Sequence, residues 1–404
     1  MHDYAGHPFQ AELSRALAQR GHAVTHGYFA ADPGPKGRLT HQPQDAPGLT
    51  FLPLGGEIRY SKTNFWQRRA GDLHYGRALA QAVARGGATD GATDGTGGKF
   101  DLVISGNTPT EAQEPLVQAC LRAGIPFVYW CQDFYSIAAS RLLAARLPGP
   151  GHLIGAWYRF LERSQMQRAA RIIVITEDFC QQTDGWGIPR DRVAVIRNWG
   201  AIDAIPVLGR ETAWAREQGL GAAPRYLYSG TLALKHNPAL LSALAQGVTD
   251  GAQVVVVAAG VGAETLATAA ATGTLPALRC LPLQPFDRLA EVLGAADVLL
   301  AVIEREAGAF SVPSKILSYL CAGRPIVLAA PADNLAARLL VQSGAGQVVA
   351  PEDVAGFVSA ARRFAADPQA AAAAGAAGRR HAEENFGLDR VADRFETLFT
   401  QVLT

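Results

Sequence analysis

Short apolar runs alternate along most of the chain with stretches whose apolar residues recur every three or four positions. The first kind, bounded by Gly, Pro and polar residues, predicts strands at Ala23–Phe29, Leu49–Leu54, Phe100–Ser105, Pro126–Cys131, Arg171–Thr176 and Val193–Arg197. After a polar, arginine-rich stretch from Gly209 to Pro224 the alternation resumes, with strands expected at Arg225–Ser229, Ala252–Ala259, Leu278–Leu281, Asp297–Ile303, Pro325–Ala330 and Gly346–Ala350. Such runs, spaced by helical patterns, belong to parallel sheets covered by helices on both faces. The expected fold class is α/β: one doubly wound domain over 1–205, a linker over 206–224, a second domain over 225–380 and a terminal helical segment over 381–404. In that last segment Val391, Phe395, Leu398, Phe399 and Val402 form a helical stripe that needs an apolar surface to cover. The tract Ala370–Ala377 favours helix but supplies little packing area, and the small polar near-repeat Ala88–Gly98 is expected to be a flexible loop.

The start of the chain departs from this pattern. A helix carrying Phe9, Leu13 and Leu17 and ending at Gly21 precedes the first recognisable strand, whereas a doubly wound domain normally begins with a strand that lies mid-sheet. The first strand of this domain is therefore expected to be missing, which would leave two neighbouring strands with open ladder edges.

With 49% apolar and 18% charged residues the chain can bury large cores, which excludes disordered and fibrous classes. Lysine and arginine number 37 against 36 acidic residues, so no general attraction to polyanions exists and no nucleic-acid partner is expected. The cysteines (Cys120, Cys131, Cys180, Cys280, Cys321) are odd in number and form no C-x-x-C, so neither a disulfide framework nor a zinc site is indicated. Residues 1–20 hold no basic segment followed by an apolar one, and no apolar run approaches the roughly 20 residues of a bilayer span. The expected compartment is the cytoplasm, with any membrane contact peripheral, at the inner face of the plasma membrane.

Only five of the basic residues are lysines: Lys36, Lys62, Lys99, Lys235 and Lys315. Lys235 follows a strand that opens into a glycine turn, Tyr226-Leu-Tyr-Ser-Gly230-Thr-Leu, and precedes Asn237-Pro238, which reads as a helix start. Lys315, in Val312-Pro-Ser-Lys315-Ile-Leu, falls in the first turn of a helix that ends at Gly323. Two ammonium groups and helix N-termini gathered at the carboxyl ends of one sheet would form a cradle for a diphosphate. The alternative is two exposed surface lysines. No D-x-D, H-E-x-x-H, G-x-S-x-G or Walker sequence is present, so no metal site is expected and the phosphate-neutralising groups would be Lys, Arg and helix dipoles.

Four segments, Ser229-Gly-Thr-Leu-Ala-Leu-Lys235-His-Asn-Pro, Leu281-Pro-Leu-Gln-Pro-Phe-Asp-Arg-Leu289, Ala295-Ala-Asp-Val298 and Val312-Pro-Ser-Lys-Ile-Leu-Ser-Tyr-Leu-Cys-Ala-Gly-Arg-Pro-Ile-Val327, resemble the carboxyl-terminal domain of group 1, or family 4, glycosyltransferases. Gly6, the helix to Gly21-His22-Ala-Val, Gln132-Asp133-Phe and Ile196-Arg-Asn198-Trp199 resemble the amino-terminal half of the subgroup that contains the colanic acid transferase WcaI. The resemblance implies a GT-B fold: two Rossmann-like domains facing each other across a cleft, with the last helix crossing back onto the first. It also implies retaining, metal-independent transfer from a nucleotide-diphosphate sugar, with no further cofactor. Carried over by motif, Gly230 and Lys235 would face the donor diphosphate, Ser314 and Lys315 the phosphate or ribose side, and the loop from Leu283 to Phe286 the base, with Thr231, Pro313 and Ser318 as further donor-binding candidates. The acceptor would be a saccharide or polyprenyl-diphosphate-linked precursor of exopolysaccharide, capsule or O-antigen.

Three positions differ from the family pattern. Its E-x7-E pair corresponds to Phe310 and Ser318, its arginine after the strand glycine to Thr231, and a first-domain histidine that touches the donor sugar to Gln132. Glu304 and Glu306, just after a strand, could bring a carboxylate to the sugar, or form a solvated loop pair. Asp133, at the end of Phe127-Val-Tyr-Trp-Cys131, is the candidate for acceptor binding or hydroxyl activation, or else a cap for the next helix. Asp133, Gln132 and Glu306 are thus the catalytic candidates, and Gly6, His7 and Asn198 the acceptor-side ones. These differences leave two alternatives: a catalytically degenerate GT-B partner subunit, and a nucleotide-sugar epimerase that would need a carboxylate base in the second domain. Finally, six arginines lie between Arg141 and Arg171 against one acid, Glu162, with Trp157, Tyr158 and Phe160 interleaved. This reads either as a peripheral membrane contact through 141–171 or as a charged helix face packed on its aromatic side.

Overall fold

The structure is a computed structural model that describes residues 2–3, 9–32, 37–61, 64–86, 99–106, 108–232, 237–303 and 314–404. The expected loop 88–98 lies outside them. The chain forms two compact units, Met1–Asn198 with Leu388–Thr404, and Trp199–Gly387.

The strands of the first unit are β1 His2–Asp3, β2 Val24–Phe29, β3 Leu49–Leu54, β4 Val103–Gly106, β5 Phe127–Cys131, β6 Arg171–Val174 and β7 Val193–Val195. They form one parallel sheet in the order β3-β2-β1-β4-β5-β6-β7. Its helices are α1 Phe9–Gln19, α2 Phe65–Ala84, α3 Thr110–Ala123, α4 Tyr135–Arg146, α5 Pro150–Arg168 and α6 Asp178–Gly185. The expectation that the first strand is missing is corrected: His2 pairs with Gly27 and Ser105, and Asp3 with Tyr28 and Gly106, so a two-residue strand holds the central position. Two residues make no apolar run, which is why the pattern did not register them. β1 joins β2 and β4 only along their carboxyl-terminal parts.

The second unit contains β8 Arg225–Thr231, β9 Gln253–Ala259, β10 Leu278–Leu281, β11 Val298–Val302, β12 Ile326–Ala329 and β13 Gly346–Val349, parallel in the order β10-β9-β8-β11-β12-β13. Its helices are α7 Ala213–Glu217, α8 Ala239–Gly247, α9 Val261–Ala271, α10 Leu289–Gly294, α11 Ser314–Cys321, α12 Leu335–Ser343, α13 Val354–Ala366 and α14 Pro368–Asn385. Alternate strand residues feed two cores. Leu227, Val255, Leu299 and Leu328 pack on one face, and Tyr226, Tyr228, Val254 and Leu300 on the other.

The stretch 206–224, expected to be a linker, is instead part of this unit. Trp214 and Ala215 of α7 are fully buried in its core. Arg210 donates to the carbonyls of Ala222 and Ala223 and pairs with Asp297, while the wholly buried Arg225 donates to the carbonyls of Leu220, Gly221 and Arg210 and to Glu211. The arginines that made this stretch look solvated are tying down backbone. In the alanine tract of α14, Gly375 sits against the backbone of Gly323, whose carbonyl oxygen would lie 2.2 Å from an added Cβ, so the tract packs by close approach rather than by area.

The last helix, α15 Leu388–Leu403, belongs to the first unit. Its apolar stripe is buried, with the Phe395 ring edge-on to Trp130 at 5.1 Å, and Arg20 at the end of α1 donates to Asp393 and Glu396. Among the described residues no helix is long and apolar enough to cross a membrane.

Candidate functional site

In the second unit the chain leaves the sheet in opposite directions from β8 and β11, which lie side by side. A doubly wound sheet opens a crevice at this switch point, at the carboxyl ends of its strands. β8 ends there with Tyr228, Ser229 and Gly230, and α11, following β11, brings Lys315 and Tyr319 to it from one helix face, four residues apart. The Tyr319 hydroxyl accepts from the Ser229 N–H at 2.8 Å and donates to the Ser229 carbonyl at 3.2 Å, fixing α11 to the strand end. The Tyr228 hydroxyl donates to the Thr231 carbonyl at 2.7 Å, which holds its ring in place.

Lys315 Nζ lies 3.6 Å from the centre of that ring, a cation–π contact. On its other side is Gly230, at φ +124°, where an added Cβ would stand 3.1 Å from Lys315 Cε and 3.3 Å from Nζ. Loss of water lowers the Lys315 pKa to about 7, and no carboxylate among the described residues offsets it. An enclosed ammonium without an ion-pair partner among the described residues is costly to a folded chain, and an anion that restores its proton gains correspondingly.

Replacing Gly230 by alanine is expected to strain the backbone, since φ here lies outside the range L-residues favour, and to displace the lysine head. A loss of about 1–3 kcal/mol of stability is predicted. Thermal unfolding of the Gly230→Ala variant measures it, and an unchanged stability would contradict this arrangement.

Of the other donor candidates, Thr231, Leu283 and Phe286 are exposed and Ser318 is partly exposed, while Ser314 begins α11. Lys235, Pro313 and Glu306, together with Glu304 and Phe310, lie outside the described residues, as do Gly6 and His7 of the acceptor side.

In the first unit, β5 delivers Gln132 and Asp133 past its carboxyl end. Gln132 and Asn198, both buried, exchange amide hydrogen bonds of 3.0 and 2.7 Å, joining the end of β5 to the segment after β7. That pairing occupies one donor and the acceptor of each amide. Asp133 is exposed. Along α4 opens a cavity of about 300 Å³ lined by Arg68, Arg69 and Asp72 of α2, Glu111 of α3, Tyr135 and Leu142 of α4 and Tyr158 of α5. The side chains from α2, α3 and the start of α4 come from turns just after β3, β4 and β5, so this cavity also faces the carboxyl side of its sheet. Sequence reasoning missed these residues, and it missed Tyr228 and Tyr319, whose spacing reads as ordinary core.

The start of α4 is held by Glu162 of α5, which is buried and accepts from the Ser136 N–H at 3.1 Å, Ser136 Oγ at 2.6 Å and Tyr129 Oη at 3.1 Å. Burial outweighs these bonds and raises its pKa to about 7. A carboxyl with a folded pKa above its unfolded value contributes stability that is present at low pH and lost as pH rises toward 7. The wild-type chain is therefore expected to lose stability relative to Glu162→Gln between pH 4.5 and 7, by at most about 1.4 kcal/mol per pH unit, and to lose no more above pH 7. A pH-independent difference in urea unfolding would contradict this.

Residues 6–199 match the family model described as a Glycosyl transferase 4-like domain. Sucrose-phosphate synthase (tll1590) from Thermosynechococcus elongatus superposes with a TM-score of 0.74 at 17% identity, over 99% of this chain and 94% of that one. The chain has the GT-B fold. Two further GT-B structures are similar at TM-score 0.66 and 15% identity, each over 99% of this chain and 98% of the other: Anabaena Alr3699/HepE in complex with UDP-glucose, and WaaG, a glycosyltransferase involved in lipopolysaccharide biosynthesis. No curated relative matches by sequence. In this GT-B chain the Glycosyl transferase 4-like match covers most of the first unit, and the enclosed lysine lies in the second.

Proposed function

We propose that this GT-B chain is a glycosyltransferase that moves a sugar, with retention and without a metal ion, from a nucleotide-diphosphate sugar to a saccharide or polyprenyl-diphosphate-linked acceptor in the assembly of a surface polysaccharide. The observation that carries the reading is the Lys315 ammonium, enclosed between the Tyr228 ring and Gly230 at the switch point of the second unit's sheet and without a carboxylate partner among the described residues. The UDP-glucose bound by the structurally similar HepE supports a nucleotide sugar as donor.

As the glycosyl bond breaks, negative charge grows on the departing diphosphate, and a preorganised cation lowers that barrier. Lys315 supplies it here, with Lys235 as its proposed companion. Asp133 provides the acceptor side, where an exposed carboxylate can orient or deprotonate a hydroxyl. The work is done on the cytoplasmic side, at the membrane where lipid-linked acceptors reside.

The test is incubation with UDP- and GDP-sugars and a polyprenyl-diphosphate-linked sugar, with and without EDTA. The expected result is acceptor-dependent nucleotide release, insensitive to EDTA, giving a product of unchanged anomeric configuration by NMR. Tight nucleotide binding with no turnover would instead assign the chain as a binding subunit, the alternative favoured by Ser318 and by the engaged amide of Gln132.

A further inference from the structure

The α4–α5 hairpin presents an outer face that its inner packing does not explain. Its inner face is buried through Gly155, Tyr158, Glu162 and Met166. On the outside, Leu153 and Phe160 are 77% and 69% exposed, and Leu142, Leu147, Ile154 and Trp157 are also exposed. Leu153, Trp157 and Phe160 follow the i, i+4, i+7 spacing of one helical stripe, more than the scattered singles of an ordinary exterior. Around them Arg146, Arg159 and Arg163 are exposed and enter no ion pair among the described residues. The hairpin's acid, Glu162, is buried. An apolar stripe flanked by cations, with no exposed carboxylate on its own hairpin, is complementary to an anionic leaflet.

We propose that the α4–α5 hairpin docks this chain on an anionic bilayer, with Leu153, Trp157 and Phe160 entering the boundary between headgroups and acyl chains and the arginines meeting lipid phosphates. Leu142 and Tyr158 of the same hairpin line the cavity that Arg68 and Arg69 of α2 also line. A lipid-linked acceptor held in that leaflet would therefore bring its polar head to Arg68 and Arg69. This rests on the reading of the acceptor as lipid-linked.

The test is flotation of the full chain with phosphatidylglycerol or phosphatidylcholine vesicles at low and high salt, using wild type, Trp157→Ser/Phe160→Ser and Arg146→Gln/Arg159→Gln. Wild type is expected to float with phosphatidylglycerol vesicles, to do so less at high salt, and to stay behind with phosphatidylcholine. The aromatic variant is expected to lose more than about ten-fold in partitioning, and each arginine removed about five-fold, as expected near an anionic surface. These positions are exposed, so unchanged thermal unfolding checks that the variants fold. Wild type that fails to float at low salt, or variants that float as wild type does, would overturn the proposal. UDP-glucose binding measured on the same samples separates the two readings. Flotation lost with nucleotide binding intact sinks the docking surface alone, and flotation without nucleotide binding or transfer sinks the transferase reading alone.

Discussion

Replacing Lys315 by methionine is expected to cut turnover by about 10²- to 10³-fold, the cost of removing one preorganised group that meets developing charge, while leaving thermal stability no lower than wild type. The two outcomes have one cause. Methionine fills the same slot against Tyr228 and Gly230 without carrying a charge into it, so the folded chain sheds a desolvation cost and loses only a cation–π contact. A residue kept for packing would show the reverse, with stability falling and turnover following it. The lysine also sets a pH dependence. Its pKa in the folded chain is about 7 against an ordinary 10.5, so the folded state holds this proton less tightly than the unfolded one. Its unfavourable effect on stability fades as pH rises from 7 toward 10.5. Diphosphate binding has the opposite slope, because the anion favours the protonated form and must bring a proton with it once the pH exceeds 7. A flat pH profile of nucleotide affinity between 6 and 8.5 would contradict this role.

The second large effect is structural. Trp214→Ala is expected to destabilise the second unit by about 3–5 kcal/mol, the usual cost of deleting a large buried aromatic. Trp214 is wholly buried, and α7 holds it through the Thr212 cap and the bond from its N–H to Glu291. The indole N–H has no hydrogen-bond partner among the described residues, so Trp214→Phe removes an unsatisfied donor along with some volume and is expected to cost much less. Urea unfolding of both variants measures the difference. Equal costs would show that the residue is held by its polar edge, and a negligible cost for alanine would return the segment to the status of a linker.

Trp214 also marks where the sequence was hard to read. Twelve strands were legible because each is a short, mostly apolar run cut off by Gly, Pro or polar residues and separated from the next by a helical pattern, an alternation that belongs to a buried parallel sheet. One tryptophan among arginines and glutamates has no periodicity, and the arginines there are spent on carbonyls 10 to 15 residues away in sequence or closer, which composition cannot reveal. β1 escaped because two residues carry no pattern; its position comes from its neighbours β2 and β4. At the site, Lys315 stood out through the rarity of lysine in this chain and its place in a first helical turn. Its aromatic and hydroxyl supports did not, since Tyr228 on a strand and Tyr319 on an apolar helix face look like core until the register of α11 against β8 is known. The pairing of Gln132 with Asn198 joins positions 66 residues apart, a distance that no local motif spans.

The most direct measurement is calorimetric titration of UDP, GDP and their glucose and mannose conjugates into wild-type chain and the Lys315→Met variant at pH 6 and pH 8. The account predicts that wild type binds at least one of these nucleotides, more weakly at pH 8 and with proton uptake, and that the variant loses about ten- to a hundred-fold in affinity, as expected for a lost charged hydrogen bond. A variant that binds the same nucleotide as tightly as wild type at both pH values would contradict it.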